Sequence, residues 1–228
     1  FLYENNKSAS QAIKDQIAQE LGVGVDPMAR FTYINSALVS AQNRQRFYVT
    51  NFGDIEQPED RGILLKDILE TGTESTVLKD KPICEPVRVG SLPRPNGELS
   101  TSQGMRIYAQ DGKSITQSAG GGGLGGKTGL YAIPVEFEDG IPTQAVSCVD
   151  GKTYAVYKVV DGLITIKEKE YPIKLQDGYY IIRKLTVREC ARLQTMPDDY
   201  CKVVSATQGY KALGNGWTAE VIIHLLNH

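Results

Sequence analysis

Five Asp-Gly pairs, at 111–112, 139–140, 150–151, 161–162 and 177–178, punctuate the middle of this chain. Asp-Gly between β-prone runs is the strongest short hairpin signal, because both residues tolerate the positive φ that a two-residue turn demands. The runs 105–108, 129–133, 153–157 and 163–166 supply the strands. From about Pro82 the glycine density also rises, so residues 81–181 are predicted to form a separate, twisted, β-rich domain. Within it, Ser118-Ala119-Gly120-Gly121-Gly122-Gly123-Leu124-Gly125-Gly126-Lys127-Thr128 carries too many glycines to hold a strand. Such a stretch lets backbone come close to something else, the plain alternative being a flexible surface loop.

The flanks have a different grammar. Phe1-Leu2-Tyr3 is a short buried-type strand, followed at once by the carboxylate and amides of Glu4-Asn5-Asn6, and in open α/β sheets ligands sit at such strand ends. Ser8 and Ser10 are candidate N-caps for a helix with Ala12, Ile13, Ile17 and Leu21 on one side, stopped at Gly22. Residues 32–39 and 47–52 read as two further strands. Strand, helix, strand, strand is the order of the closing half of a doubly wound sheet whose last strands form a hairpin. Arg44 and Arg46 precede the third strand two residues apart, so an extended backbone would project both guanidiniums from one face, where they suit an anion or a carbonyl. Solvated arginines at a strand entrance are the plainer reading. At Thr186 the helical pattern returns, with Glu189 completing a capping box ahead of Val187, Cys190, Ala191 and Leu193, and Met196-Pro197-Asp198-Asp199-Tyr200 ends it. Gly214-Asn215-Gly216-Trp217-Thr218 leads into a terminal helix with Val221, Ile222, Ile223, Leu225 and Leu226, apolar enough to require partners on both sides.

Composition narrows the classes. With 228 residues, 41% hydrophobic and 23% charged, the chain has room for one large or two small folded domains. It lacks an apolar run of membrane-spanning length and a basic-then-apolar leader, which makes the cytoplasm the default compartment and a membrane partner unexpected. Cys84, Cys148, Cys190 and Cys201 are far apart and only two histidines exist, so the cysteines read as reduced thiols and no metal site is expected. A net charge of −2 does not exclude a nucleic-acid site, which needs only a local cluster of Lys and Arg.

Taken in order, Glu4-Asn5-Asn6, Gln42-Asn43-Arg44-Gln45-Arg46, the segment Arg183 to Tyr200 and Gly214-Asn215-Gly216 resemble the second half of the DNA (cytosine-5)-methyltransferases, the HhaI-type bacterial enzymes in particular. The fold so implied is α/β, the C-terminal part of a doubly wound, Rossmann-like methyltransferase sheet plus a β-rich target-recognition domain. Residues 1–80 would belong to the catalytic domain, 81–181 to the recognition domain, and 182–228 would return to the catalytic domain. Residues from about 131 to 180 have no counterpart in the smallest enzymes and look like an inserted β-hairpin extension. The mechanism implied is base flipping: a cysteine adds to C6 of an extruded cytosine, C5 takes a methyl group from S-adenosylmethionine, and elimination restores the ring. On this resemblance Glu4 holds N3 and the exocyclic amine, Arg46 contacts O2, and Arg44 orients the catalytic loop or a phosphate. Gln103 fills the gap left in the double-stranded DNA, Arg106 reads a guanine edge, and Thr116, Gly121 and Gly122 belong to the recognition segment. Asn215 and Trp217 border the cofactor pocket.

The sequence departs from the family pattern in three places: Asn6 replaces a valine, Thr116 is followed by Gln117 rather than an aliphatic residue, and neither the Pro-Cys nucleophile nor the Gly-rich cofactor loop occurs. The chain therefore looks like a C-terminal part whose N-terminal half lies elsewhere, inactive by itself and prone to form a homodimer through a bare strand edge at Phe1 and the terminal helix. A non-catalytic DNA-binding module is the competing reading, although such a module gains nothing from keeping Glu4 and Arg46 together. A Pro-Cys and a Gly-rich loop encoded within about 100 residues upstream of Phe1, half a small α/β domain, would discriminate the two.

Overall fold

The computed structural model describes residues 1–70, 85–120, 124–137, 140, 142–148 and 151–227. Among these, the strands form two sheets. The first is three-stranded, with β1 (Leu2–Asn6) and β2 (Arg30–Asn35) on either side of β3 (Gln45–Thr50), both antiparallel to it. Strand alternation gives this sheet two different faces. Tyr3, Phe31, Tyr33 and Phe47 cluster on one, Phe31 and Phe47 stacking with ring centroids 4.7 Å apart. Lys14 of α1 (Gln11–Glu20) places its ammonium 5.7 Å from the centre of the Tyr33 ring. On the other face Ile34 and Tyr48 pack with Val221 and Leu225 of the terminal helix.

Two expected boundaries move, for a reason visible in one side chain. The second strand stops at Asn35 instead of continuing to 39, because the Asn35 Oδ1 accepts from the N–H groups of Ala37 (3.1 Å) and Arg44 (3.0 Å) and turns the chain into a 3-10 segment, Ser36–Leu38. The third strand begins at Gln45 rather than Phe47, so Arg46 is a strand residue and Arg44 is not.

The second sheet comprises β4 (Arg88–Ser91), β5 (Arg106–Ala109), β6 (Leu130–Pro134), β7 (Ala145–Ser147), β8 (Thr153–Val160), β9 (Leu163–Ile166), β10 (Lys169–Pro172) and β11 (Gly178–Arg183), in the order β10-β9-β8-β11-β6-β5-β4 with β7 paired to β8. Asp161 and Gly162, at φ 51° and 73°, form the expected two-residue hairpin between β8 and β9. Asp111-Gly112 does not form one: β5 and β6 run parallel, and the chain between them leaves the sheet. Gly112 serves close packing instead, since a Cβ there would lie 2.5 Å from the Glu85 carbonyl oxygen. Asp139 and Asp150 lie outside the described residues. The run 131–180 is not a uniform extension. Its ends, β6 and β11, are neighbouring central strands, and only β7 to β10 extend the sheet beyond β11.

Helices α2 (Val187–Leu193), α3 (Ala206–Asn215) and α4 (Ala219–Leu226) close the chain. Thr186 and Glu189 form the predicted capping box. Helix α3 escaped the sequence reading although Ser205 and Gln208 cap it in the same way. Its glycines conceal it, yet they are there for contact: a Cβ at Gly209 would lie 2.8 Å from Val187 Cγ1, and one at Gly214 would lie 2.5 Å from the Ala119 nitrogen. Leu185, Leu193 and Leu213 join Tyr131, Ile133 and Ile181 in the core that links these helices to the second sheet. Helix α4 buries only one side, leaving Ile223 and Leu226 exposed, contrary to the expectation of partners all round.

Candidate active site

Glu4 and Arg46 sit diagonally across the β1–β3 ladder, Glu4 opposite Tyr48 and Arg46 opposite Asn6, so both side chains share one face. The Arg46 Nε lies 2.9 Å from Glu4 Oε1 in an ion pair, and Arg46 Nη1 donates to Asn6 Oδ1 and to the Gln45 carbonyl, each at 2.9 Å. The amide that replaces a valine thus holds the arginine fork in place, a role the sequence reading did not give it. Arg44 enters from the other side. Its Nη2 donates to the Gly216 carbonyl at 2.8 Å, whereas its Nη1 is buried with no hydrogen-bond partner. Burial, aided by the like charge of Arg46, pushes the Arg44 guanidinium down to about 10. The same burial, with Glu4 nearby, pushes the Tyr48 phenol up.

These groups meet at a cavity of about 370 Å³ lined by Glu4, Asn5, Asn6, Arg44, Arg46, Thr116, Gln117, Ser118, Ala119, Gly214 and Asn215. Its wall is polar, with one carboxylate and two guanidiniums. Gly214 is at the wall because its backbone rests against Ser118 and Ala119 with no space for a side chain. Asn215 therefore comes to the cavity; Trp217, two residues on, is 44% exposed and does not line it. A second cavity of about 570 Å³ adjoins the first through Asn6, Arg46 and Thr116 and extends past Lys7, Asn43 and Gln45 to Gln103 and Ile115. Thr116 ties the two together, its Oγ1 donating to the Asn43 carbonyl at 2.6 Å. Arg106 lies at the head of β5, lining neither cavity, with a buried Nε that has no partner. Gly121 and Gly122 lie outside the described residues.

Three buried polar groups brace the elements around this site. Lys113, fully buried, donates to the carbonyls of Ala37 (2.6 Å), Ser40 (3.0 Å) and Ile63 (2.6 Å), fixing the chain just before the two arginines. Gln194 joins α2 to the Asn215 loop, its Nε2 donating to the Leu213 carbonyl at 2.7 Å while its Oε1 accepts from Thr218 Oγ1 at 2.9 Å. The Arg183 guanidinium donates to both oxygens of Glu189, at 2.8 and 2.7 Å, with both side chains buried. Burial opposes that charge, but the Glu189 hydrogen bonds and charge outweigh it and hold the guanidinium above its usual range. Arg183 carried a signal as the first residue of the Arg183-to-Tyr200 segment and Glu189 as the capping residue, whereas Lys113 carried none. Among the described residues no group of three His, Cys, Asp or Glu side chains is placed to hold a metal ion, and no helix is long and apolar enough to cross a membrane.

The arrangement of an α/β sheet, a β-rich second sheet and returning helices is that of solved methyltransferases. The Entamoeba histolytica methyltransferase EhMeth superposes with a TM-score of 0.53 at 15% identity, covering 99% of this chain and 60% of its own. The S. pombe Dnmt2 methyltransferase gives 0.51 at 15% identity, covering 99% of this chain and 65% of its own. The chain belongs to the C-5 cytosine-specific DNA methylase family, whose profile matches residues 36–228. It is also 32% identical over 126 residues to the type II methyltransferase M.HhaI of Haemophilus parahaemolyticus, an alignment covering 55% of this chain and 24% of that protein. The chain thus spans about a quarter of that relative's length and less than two thirds of the length of EhMeth.

Proposed function

We propose that this chain supplies the base-holding and DNA-reading part of a DNA (cytosine-5-)-methyltransferase acting on double-stranded DNA in the cytoplasm, as in restriction–modification. The observation that carries the reading is the Glu4–Arg46 pair at 2.9 Å, opening on a cavity that Arg44, Thr116 and Asn215 also line. Residues 1–80 with 182–228 act as the catalytic side, and 81–181 as the reader of the duplex.

An extruded cytosine presents an acceptor and a donor edge at N3 and its exocyclic amine, and an acceptor at O2. Glu4 is suited to the first pair and the Arg46 fork to O2. Asn6 and the Gln45 carbonyl keep that fork from rotating, so it is oriented before the base arrives. As a nucleophile adds to C6, electron density builds on the ring and N3 gains basicity; Glu4 stabilises it by sharing a proton there. The buried, unpartnered Nη1 of Arg44 is a donor waiting for an anion or carbonyl. S-adenosylmethionine, when bound, supplies the methyl group. The residues present fit one edge of its site: Asn215 offers a carboxamide and Gly214 a close backbone, with Trp217 outside the cavity. Gln103, which lines the second cavity, is placed to meet the duplex, and Arg106, three residues on at the head of β5, would have to turn its guanidinium, buried at Nε, outward to read a guanine edge.

The nucleophile is not in these residues, since no cysteine follows a proline. Burial pushes the Cys190 thiol well up and the Cys201 thiol up, away from the thiolate form a nucleophile needs. The chain by itself is therefore expected to leave tritiated methyl groups at background on any DNA. Supplied with a polypeptide carrying a Pro-Cys and a Gly-rich loop, it should transfer them, and Glu4→Gln should then slow turnover by roughly 10²–10⁴-fold. An unchanged rate would make Glu4 structural and defeat the reading.

A further inference from the structure

Next to the segment that carries Gln103 and Arg106, with Met105 in its lining, lies a groove of about 370 Å³ that the reaction does not use. Leu92, Met105, Tyr157 and Tyr171 contribute to its apolar floor, and Arg94, Lys167 and Lys169 stand around it. No carboxylate lines it; Glu168 and Glu98, adjacent in sequence, are not among its lining residues. The two lysines are held by an unusual turn. Lys167 and Glu168 connect β9 and β10 with φ of 50° and 62°, a left-handed pair normally made by Asn and Gly, and here made by residues that are strained there. Gly97, at φ 86°, keeps the opposite wall thin: a Cβ there would lie 3.3 Å from Lys169 Nζ.

We propose that this groove seats the sugar-phosphate backbone of DNA flanking the recognised base pairs, so that β9 and β10 lengthen the footprint. The inference rests on the DNA-reading assignment above. Two observations select this occupant. Three cations and no carboxylate line the groove, Glu168 and Glu170 of the same hairpin being absent from its lining, and such a lining on a chain that is acidic overall is what phosphates complement. The groove is also continuous with the reading segments: Met105 and Leu124 line it, and the Gly125 N–H donates to the Gly104 carbonyl at 2.9 Å, joining the glycine-rich stretch to the Gln103–Met105 turn.

The test compares binding of the full chain to mixed-sequence duplexes of about 10 and about 30 base pairs, one and three helical turns. The variant combines Arg94→Gln, Lys167→Gln and Lys169→Gln, with an unchanged thermal midpoint as the control for folding. The variant should bind the long duplex about tenfold more weakly or worse, its salt slope falling in magnitude by about 2 to 3, while the short duplex loses much less. Equal losses at both lengths, or none on the long duplex, overturn the proposal and leave the DNA-reading assignment standing. Tight binding of polyglutamate at the same three residues with no effect on the long duplex would assign the groove to an acidic peptide. Failure of the unaltered chain to bind either duplex overturns the DNA-reading assignment itself.

Discussion

Arg44 concentrates the tension in this site, because it is buried, charged, and bonded through only part of its fork. Its native value of about 10 lies below the ordinary arginine value of the unfolded chain, so above about pH 10 the native state holds fewer protons than the unfolded chain and stability rises with pH there. Below pH 10 the whole penalty is present. Arg44→Met should therefore leave the thermal midpoint unchanged or higher, and the stability gap between variant and parent, followed by urea titration, should narrow from pH 10 upward. A loss of more than about 3 kcal/mol would instead mark the arginine as part of the scaffold. Glu189 is the contrasting case. It accepts from Arg183 twice and from the Glu70 and Thr186 N–H groups, so Glu189→Ala should cost about 3–5 kcal/mol by stranding a buried guanidinium. Denaturant midpoints measure that directly. At this scale the sequence was uneven: Glu4, Arg44, Arg46, Thr116 and Asn215 stand out in its motifs and line one cavity, whereas Lys113 reads as one more solvated lysine beside a glycine. Nothing local distinguishes a lysine that donates to carbonyls tens of residues away.

Among the elements, the caps and the Asp161-Gly162 turn were readable because their signals are local: a hydroxyl three residues before a carboxylate, or a pair that accepts positive φ. The shortened second strand was not, since the Asn35 side chain has to meet the Arg44 N–H across a turn before it can end the strand. Nor was α3, whose glycines look like helix breakers until the neighbours they admit are known. Gly214→Ala tests that explanation. Its Cβ would collide with the backbone of Ser118 and Ala119, so the substitution should destabilise the fold by about 1–3 kcal/mol and weaken ligand binding at the cavity wall, although alanine is the better helix former. A more stable variant, by thermal melting, would show that the glycine is not there for close approach.

The whole molecule has two exposures that bear on its assembly. Among the described residues strand β1 is an edge, paired with β3 on one side, and Phe1 is 46% exposed; on α4, Leu226 is 62% exposed. An open edge near apolar side chains favours association, so we propose that the chain at high concentration pairs through β1 and α4, or that a polypeptide with the Pro-Cys segment covers them. Light scattering should show a dimer that Leu226→Lys weakens; a monodisperse monomer throughout would contradict it. The fold class was readable at this scale from the order of the motifs, while the split of the 131–180 run between central and peripheral strands depended on β6 pairing with β11 across forty-odd residues. The claim that the Glu4–Arg46 cavity holds an extruded cytosine is tested most directly by comparing the affinity of the chain for a duplex with one unpaired cytosine and for the fully paired duplex. Unpairing removes a few kcal/mol of extrusion cost, so the unpaired cytosine should bind about tenfold tighter or better, with thymine in its place giving no gain and Glu4→Ala abolishing the preference. Equal affinity for the paired and unpaired duplexes would contradict the account.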